Sequence, residues 1–500
     1  MAVLALPTLL MSVDMSVLYL ALPHLATDLE PSSTQMLWIM DIYAFMIAGF
    51  LITMGTLGDR IGRRRLLLIG AVAFGAASVL AAYSTSAGML IAARTVLGIA
   101  GATLMPSTLA LISNMFTDSK QRAVAIAVWM SCFMGGAALG PVVGGLMLQW
   151  FWWGSVFLLG VPIMVTLLIA APVLLPEYRN PEAGRLDLFS VALSLGAILP
   201  FVYGLKELAK DGVGAMALVT LAVGAAVGVV FVRRQFRLDD PLLDLRLFRS
   251  SVFSTALGAV MVSTLAMGGM FMLVSQYLQL VAGLSPLDAG LLLVPPSVAM
   301  IGSTILAPAL AQRFGRAVVI GGGMLAAAAG FALLTQVGAS GDLPLVVIGQ
   351  SIAATGLGPG AALLTGIIIG SAPKEKAGSA AAVSETSGEL GMGLGVALLG
   401  SITTAVYRRQ LTVPDGISDT AASAARDTLA SADAAVQEMS AQAAARLLDP
   451  ARDAFTQGMS TAVGVGAAAT AVFGVLAILL LRNVSAAPDP HADETPEPVG

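Results

Sequence analysis

Five ionisable side chains lie in stretches that are otherwise apolar: Asp14, Asp41, Arg94, Glu385 and Glu389. A carboxylate at the centre of a lipid-embedded helix costs about 2.5–3.5 kcal/mol on an insertion scale, so it normally faces a cavity or a partner. Asp14, flanked on both sides by predominantly apolar residues, is the clearest case. Its chemistry would be reversible protonation or attraction of a cation. Arg94 is the natural partner, because a guanidinium keeps its charge and needs an anion or backbone carbonyls when buried. Approach and withdrawal of Arg94 would switch the charge state of Asp14; a permanent structural pair is the alternative. Glu385 and Glu389 are spaced i, i+4 and therefore share a helix face. Two carboxyls that close share their protons as a coupled pair. Their face suits proton binding or an organic cation, with a solvated helix end as the alternative. Asp41 follows Trp38 and falls in the first turn of its apolar segment. There it either complements the helix dipole or attracts a cationic substrate. Tyr43, Trp129, Phe157 and Tyr277 could line a cavity for flat cations, or simply pack.

Other chemistries find little support. The two histidines, His24 and His491, cannot build a metal site with the single cysteine, Cys132, and no disulfide can form. No phosphate-binding glycine loop and no nucleophile–base pair is visible, so neither ATP use nor enzyme activity is expected. No cofactor and no nucleic acid partner is expected either.

These side chains must be positioned by membrane-spanning helices. Of the 500 residues, 57% are hydrophobic and only 11% are charged, against about 25% charged in a soluble domain. The apolar runs are about 20 residues long, the length of a helical span, whereas barrel strands would alternate over about 10. Fourteen segments follow: 2–23, 36–57, 66–84, 88–114, 121–147, 153–175, 187–206, 214–233, 252–280, 286–311, 317–337, 344–371, 379–407 and 459–481. The first begins almost at Met1, without a basic leader or cleavage site. With both termini in the cytoplasm, 18 of the 26 basic residues fall on the inner side and 7, Lys206 and Lys210 among them, on the outer side. The long outer loop, 408–458, reads in part as amphipathic helix, and a small helical hairpin is expected there. The tail, 485–500, is expected to be disordered. Arg60-Ile61-Gly62-Arg63 after the second segment returns as Arg313-Phe314-Gly315-Arg316 after the tenth. Repeated halves with a substrate site between them are a common transporter plan. The halves would be 1–175 and 252–481, with 187–233 an inserted pair. In the fifth segment, the run from Gly135 to Gly145 includes Gly136, Gly140, Pro141 and Gly144. Small residues allow close helix approach, and the proline permits a bend.

At this point the motifs resemble a known family. Gly55-Thr56-Leu57-Gly58-Asp59-Arg60-Ile61-Gly62-Arg63-Arg64-Arg65 is similar to the signature loop of the major facilitator superfamily. Leu90 to Gly101, with Arg94 and Gly98, resembles its fourth-helix motif, and the Gly140-Pro141 run resembles its fifth-helix antiporter motif. Val13 to Pro23 and Ser384 to Gly391 resemble the first- and thirteenth-helix motifs of the fourteen-helix drug:proton antiporters. The sixth-helix pattern is altered here, Trp153 to Pro162 lacking its Arg and Asn. The resemblance implies an all-α integral membrane fold of two six-helix bundles plus two inserted helices. It implies proton coupling through Asp14, Arg94, Glu385 and Glu389, and substrate contact at Asp14, Asp41, Glu385 and Glu389. Gating would involve Gly55, Asp59, Arg60, Gly62 and Arg63, with Asp59 set against the N-terminal end of a facing helix. The implied function is proton-coupled efflux of lipophilic, mostly monovalent cations such as quaternary ammonium antiseptics, dyes and fluoroquinolones. Monovalent cations are favoured because the tenth segment holds no deep acid. The protein would act as a monomer in the inner (plasma) membrane, with small cations, protons and lipids as its partners. Export of a lipid or an endogenous metabolite is the alternative, and a non-transporting membrane sensor a further one.

Overall fold

The computed structural model describes residues 2–116, 119–179, 187–238, 241–243, 245–339, 341–371, 377–414, 417–436 and 439–482. The tail 485–500 lies outside them, as do Arg185, Lys374 and Lys376. Among the described residues there are eighteen α-helices and no strand. They are α1 (Ala2–Leu29), α2 (Ser33–Ile61), α3 (Arg63–Ala82), α4 (Ala87–Met115), α5 (Ser119–Trp150), α6 (Ser155–Leu158), α7 (Gly160–Leu174), α8 (Leu188–Asp211), α9 (Ala215–Arg237), α10 (Ser251–Gln276), α11 (Pro286–Leu292), α12 (Val294–Phe314), α13 (Arg316–Leu334), α14 (Leu343–Gly370), α15 (Ala377–Gln410), α16 (Asp419–Asp427), α17 (Leu429–Ala435) and α18 (Ala441–Leu480).

Among the described residues, thirteen helical stretches are long and apolar enough to cross a membrane. With the 32-residue α5 they match the fourteen predicted segments. Helix is the form in which a chain meets its own hydrogen-bonding needs in lipid. Side-chain oxygens of Ser86, Ser250, Ser285 and Ser440 cap α4, α10, α11 and α18. The repeated Arg-x-Gly-Arg turns share one device. Gly62 has φ +113° and Gly315 φ +84°, so each breaks one helix and starts the next within a residue.

α1 lies along α5, and α2 along α4. Likewise α10 lies along α15, and α13 along α14 and α18. The α8–α9 pair packs on itself and against α2 and α15. Contacts between the two sets of helices gather on the side opposite the Asp59 turn. There α2 meets α15 at Leu37 and Gly400, and Gly290 of α11 faces Pro141 of α5. Ser275 of α10 donates to the Tyr19 carbonyl of α1 at 3.0 Å.

Three boundaries differ from the sequence reading. The segment 408–458 is not a loop throughout, because α18 begins at Ala441 and runs for 40 residues, through Pro450. Only 411–440 connects the spans, and α16 and α17 lie within it, with the Tyr407 hydroxyl donating to Ala425 O at 2.6 Å. The second span starts earlier than expected. Ser32 and Gln35 form a capping box, so Asp41 lies in the third turn of α2 instead of the first. The seventh span extends to Asp211, which places Lys206 inside a helix and buries it.

Candidate functional site

Asp14 and Arg94, 80 residues apart in sequence, meet in the structure. Arg94 Nη1 lies 3.1 Å from Asp14 Oδ2, with both side chains at least nine-tenths buried. Arg94 has further anchors on α2. Its Nε donates to the Ile39 carbonyl at 3.2 Å. Its guanidinium sits 4.5 Å from the centroid of the Tyr43 ring and 6.0 Å from that of Phe157. Gly98, one turn along α4, makes this possible: a Cβ there would come within 2.6 Å of the Tyr43 carbonyl. Gly98→Ala is therefore expected to push α2 off α4, with a loss of about 1–3 kcal/mol typical of overpacking. Thermal unfolding in detergent, wild type against variant, measures it.

On α15, Glu385 and Glu389 occupy one face with Met392, Gly393 and Val396 (i, i+4, i+7, i+8, i+11). Those last three line a small chamber together with Tyr19, Met40, Tyr43, Ala44 and Arg94. Glu389 Oε2 is buried and makes no hydrogen bond among the described residues. Neither glutamate has a basic partner among the described ion pairs.

A wide cavity measures about 930 Å³ out to its open mouth. It lies between α1, α5, α10, α11–α12, α13, α14 and α15. Its wall is soft and apolar, with Met267, Met270, Met300, Met392, Phe133, Phe271 and Phe331. The polar exceptions include Ser12, Ser16, Ser297 and Gln350. Tyr19 and Met392 border both this cavity and the Arg94 chamber, and the Tyr19 ring meets Phe271 edge-on at 5.2 Å. Ser12, Ser16 and Tyr19 form one stripe of α1, while Asp14 sits on nearly the opposite face. α1 thus carries the ion pair on one side and the cavity wall on the other.

The aromatic residues singled out in the sequence lie elsewhere. Tyr43 borders the chamber, not the large cavity. Trp129 is buried and donates to Thr108 Oγ1 at 3.2 Å. Phe157 is buried beneath Arg94. Tyr277, in the π-turn that ends α10, donates to Gly338 O at 2.6 Å. Asp41 is not an open cation receptor: its Oδ2 lies 2.8 Å from Lys206 Nζ, with both side chains fully buried. Tyr19, Met392 and Lys206 escaped the sequence reading. The i, i+4, i+7 stripe of Ser12, Ser16 and Tyr19 was the available signal for the first.

The glycine run of α5 packs against α1. A Cβ at Gly136 would approach Leu9 O to 2.5 Å, one at Gly144 would approach Val17 to 2.8 Å, and Gly140 faces Ser16. At the turn after α2, Asp59 Oδ1 accepts from Arg63 Nε at 2.8 Å, with Arg63 Nη2 at 2.6 Å. The expected partner, a facing helix end, is thus replaced by a side chain one turn on, because Gly62 folds α3 back beside α2. Arg64 ties the turn to α7 through Pro172 O and Leu175 O. Arg60 is exposed, and Gly55 faces open space.

Residues 4–396 match the family model described as Major Facilitator Superfamily. The chain is 43% identical over 479 residues to the multidrug efflux pump LfrA of Mycolicibacterium smegmatis, covering 95% of each. It is 35% identical over 459 residues to the methyl viologen resistance protein SmvA of Salmonella typhimurium, covering 90% of this chain and 92% of that one. Among solved structures, a bacterial homolog of the human lysosomal transporter Spinster, inward-facing and unoccupied, superposes with a TM-score of 0.66. That match has 17% identity and covers 98% of both chains.

Proposed function

The chain belongs to the Major Facilitator Superfamily, and on that premise we propose that this multi-pass membrane transporter exports lipophilic cations in exchange for protons. The observation that carries the reading is the buried Asp14–Arg94 pair, set on the helix whose other face walls the large cavity. Besides Asp14, Arg94 has the Ile39 carbonyl and the Tyr43 ring as anchors that do not depend on the carboxyl's charge for their own chemistry. A proton arriving at Asp14 therefore releases α1 from α4 without stranding the guanidinium. Movement of α1 then reshapes the stripe of Ser12, Ser16 and Tyr19. Glu385 and Glu389 receive protons or the substrate's positive charge from the α15 side. The methionine-rich wall suits varied flat, apolar shapes.

The energetics are consistent. Moving one positive charge out against about 100 mV costs about 2.3 kcal/mol, and one entering proton returns that amount. In this reading 1–175 and 252–481 are the two halves, and 187–233 is an inserted pair. The arginine-rich Asp59 side faces the cytoplasm of a bacterial inner membrane, with both termini there. Contacts between the halves on the opposite side agree with an inward-open state. The relatives named as a multidrug efflux pump and a methyl viologen resistance protein support drug export as the function; the substrates proposed within it are quaternary ammonium compounds, dyes and fluoroquinolones. The absence of an acid from α12 favours monovalent cations. A second reading, divalent substrates, draws on the two acids of α15, unpaired among the described residues, and on the relative named for resistance to methyl viologen, a dication. Efflux of a monovalent dye against that of methyl viologen, from the same vesicles, decides between them.

A further inference from the structure

The inserted helix α8 delivers a cation to the N-terminal set of helices. Lys206 Nζ lies 2.8 Å from Asp41 Oδ2 and 3.9 Å from the centroid of the Trp38 ring. Both charged side chains are fully buried. Asp41 Oδ1 is also buried, and among the described residues it accepts no hydrogen bond. Val202, one turn before Lys206, packs with Phe45 of α2 and Ala397 of α15, which seals the position between three elements.

A carboxylate beside an indole face is the chemistry that recognises an organic ammonium ion. Here the occupant is the protein's own ammonium group. A buried ion pair is a weak source of stability, since well-packed apolar residues of similar volume often do as well. Its consequence for charge is larger. Of the four acids singled out in the sequence, Asp14 is matched by Arg94 and Asp41 by Lys206, which leaves Glu385 and Glu389 without a basic partner among the described ion pairs.

We propose that Lys206 is a specificity-determining residue whose tethered ammonium fills the Trp38–Asp41 cation site and withholds Asp41 from substrate. Glu385 and Glu389 are left as the acids that meet a mobile cation. With Lys206 removed, the vacated site takes a small monovalent organic ammonium ion. The inference rests on the efflux reading above, but its test does not need transport.

Dicyclohexylcarbodiimide adds to protonated carboxyls in apolar surroundings, and peptide mass spectrometry locates the adduct. On the purified full-length protein at neutral pH, the expected wild-type pattern is label at Glu385 or Glu389 and none at Asp41. Lys206→Met is expected to gain label at Asp41, and excess tetramethylammonium to suppress it. The neutral pair Asp41→Asn with Lys206→Met is expected to lose label at position 41 while keeping it on α15. Where Lys206→Met does not fold, Lys206→Gln retains a donor to Asp41 and carries the same expectation. Asp41 labelled in the wild type as strongly as Glu389 overturns the proposal. So does an unlabelled Asp41 in a folded Lys206 variant, or label on neither glutamate. Absence of efflux together with the expected labelling rejects the efflux reading alone.

Discussion

Arg94→Ala is expected to abolish drug efflux and to lower stability by about 3–5 kcal/mol, the usual cost of breaking a buried pair by removing one partner. The cost arises because Asp14 stays buried between α1 and α4 with nothing to balance its charge. Adding Asp14→Asn to Arg94→Ala is expected to recover much of the stability and none of the transport. Arg94→Lys should fall between. An ammonium is a point charge and cannot reach Asp14 Oδ2 and the Ile39 carbonyl with the planar fork that a guanidinium offers. Thermal unfolding in detergent and dye efflux from vesicles, run on the same preparations, separate the two effects. Full efflux in Arg94→Ala would remove the pair from the mechanism.

The second large effect is expected on α15. Glu389→Gln should weaken transport of a cationic dye more than Glu385→Gln, because Glu389 Oε2 is buried without a hydrogen-bond partner among the described residues and lies a turn from the chamber wall. An interaction with a charged group contributes about 1.5–3 kcal/mol, so the dye concentration for half-maximal efflux should rise by roughly 10- to 150-fold. A neutral substrate of similar size should be less affected in apparent affinity. An equal loss of affinity for both substrates would assign the two acids to proton coupling alone. Measuring half-maximal concentrations for one cationic and one neutral compound checks this.

Much of this was readable before any coordinates, for a physical reason. Charges inside apolar runs are rare, so Asp14 and Arg94 announced themselves although 80 residues separate them. The fourteen spans followed from run length, and the helix break at Gly62 from its glycine. Lys206 was not readable in the same way. Followed by Glu207 and Lys210, it resembles the polar end of a span, and its partner Asp41 lies 165 positions earlier. Only the packing of α8 on α2 brings the two together. The depth of Asp41 was misjudged for a local reason, the Ser32–Gln35 capping box that starts α2 before the apolar run begins. The start of α18 was missed because an alanine-rich stretch with scattered charges serves equally as an amphipathic surface helix or as the outer turns of a long span. The large cavity was the least legible feature. Its methionines and phenylalanines come from several helices, and each is indistinguishable in sequence from core filling.

In the proposed cycle, proton entry at Asp14 drives export. Purified protein in proteoliposomes, loaded with a monovalent cationic dye and given an imposed pH gradient, tests it most directly. The expected result is dye movement against its own gradient that requires the pH gradient, collapses with a proton–potassium exchanging ionophore, and is absent in Asp14→Asn. Dye movement at the same rate without the pH gradient, or an Asp14→Asn variant that pumps like the wild type, would contradict it.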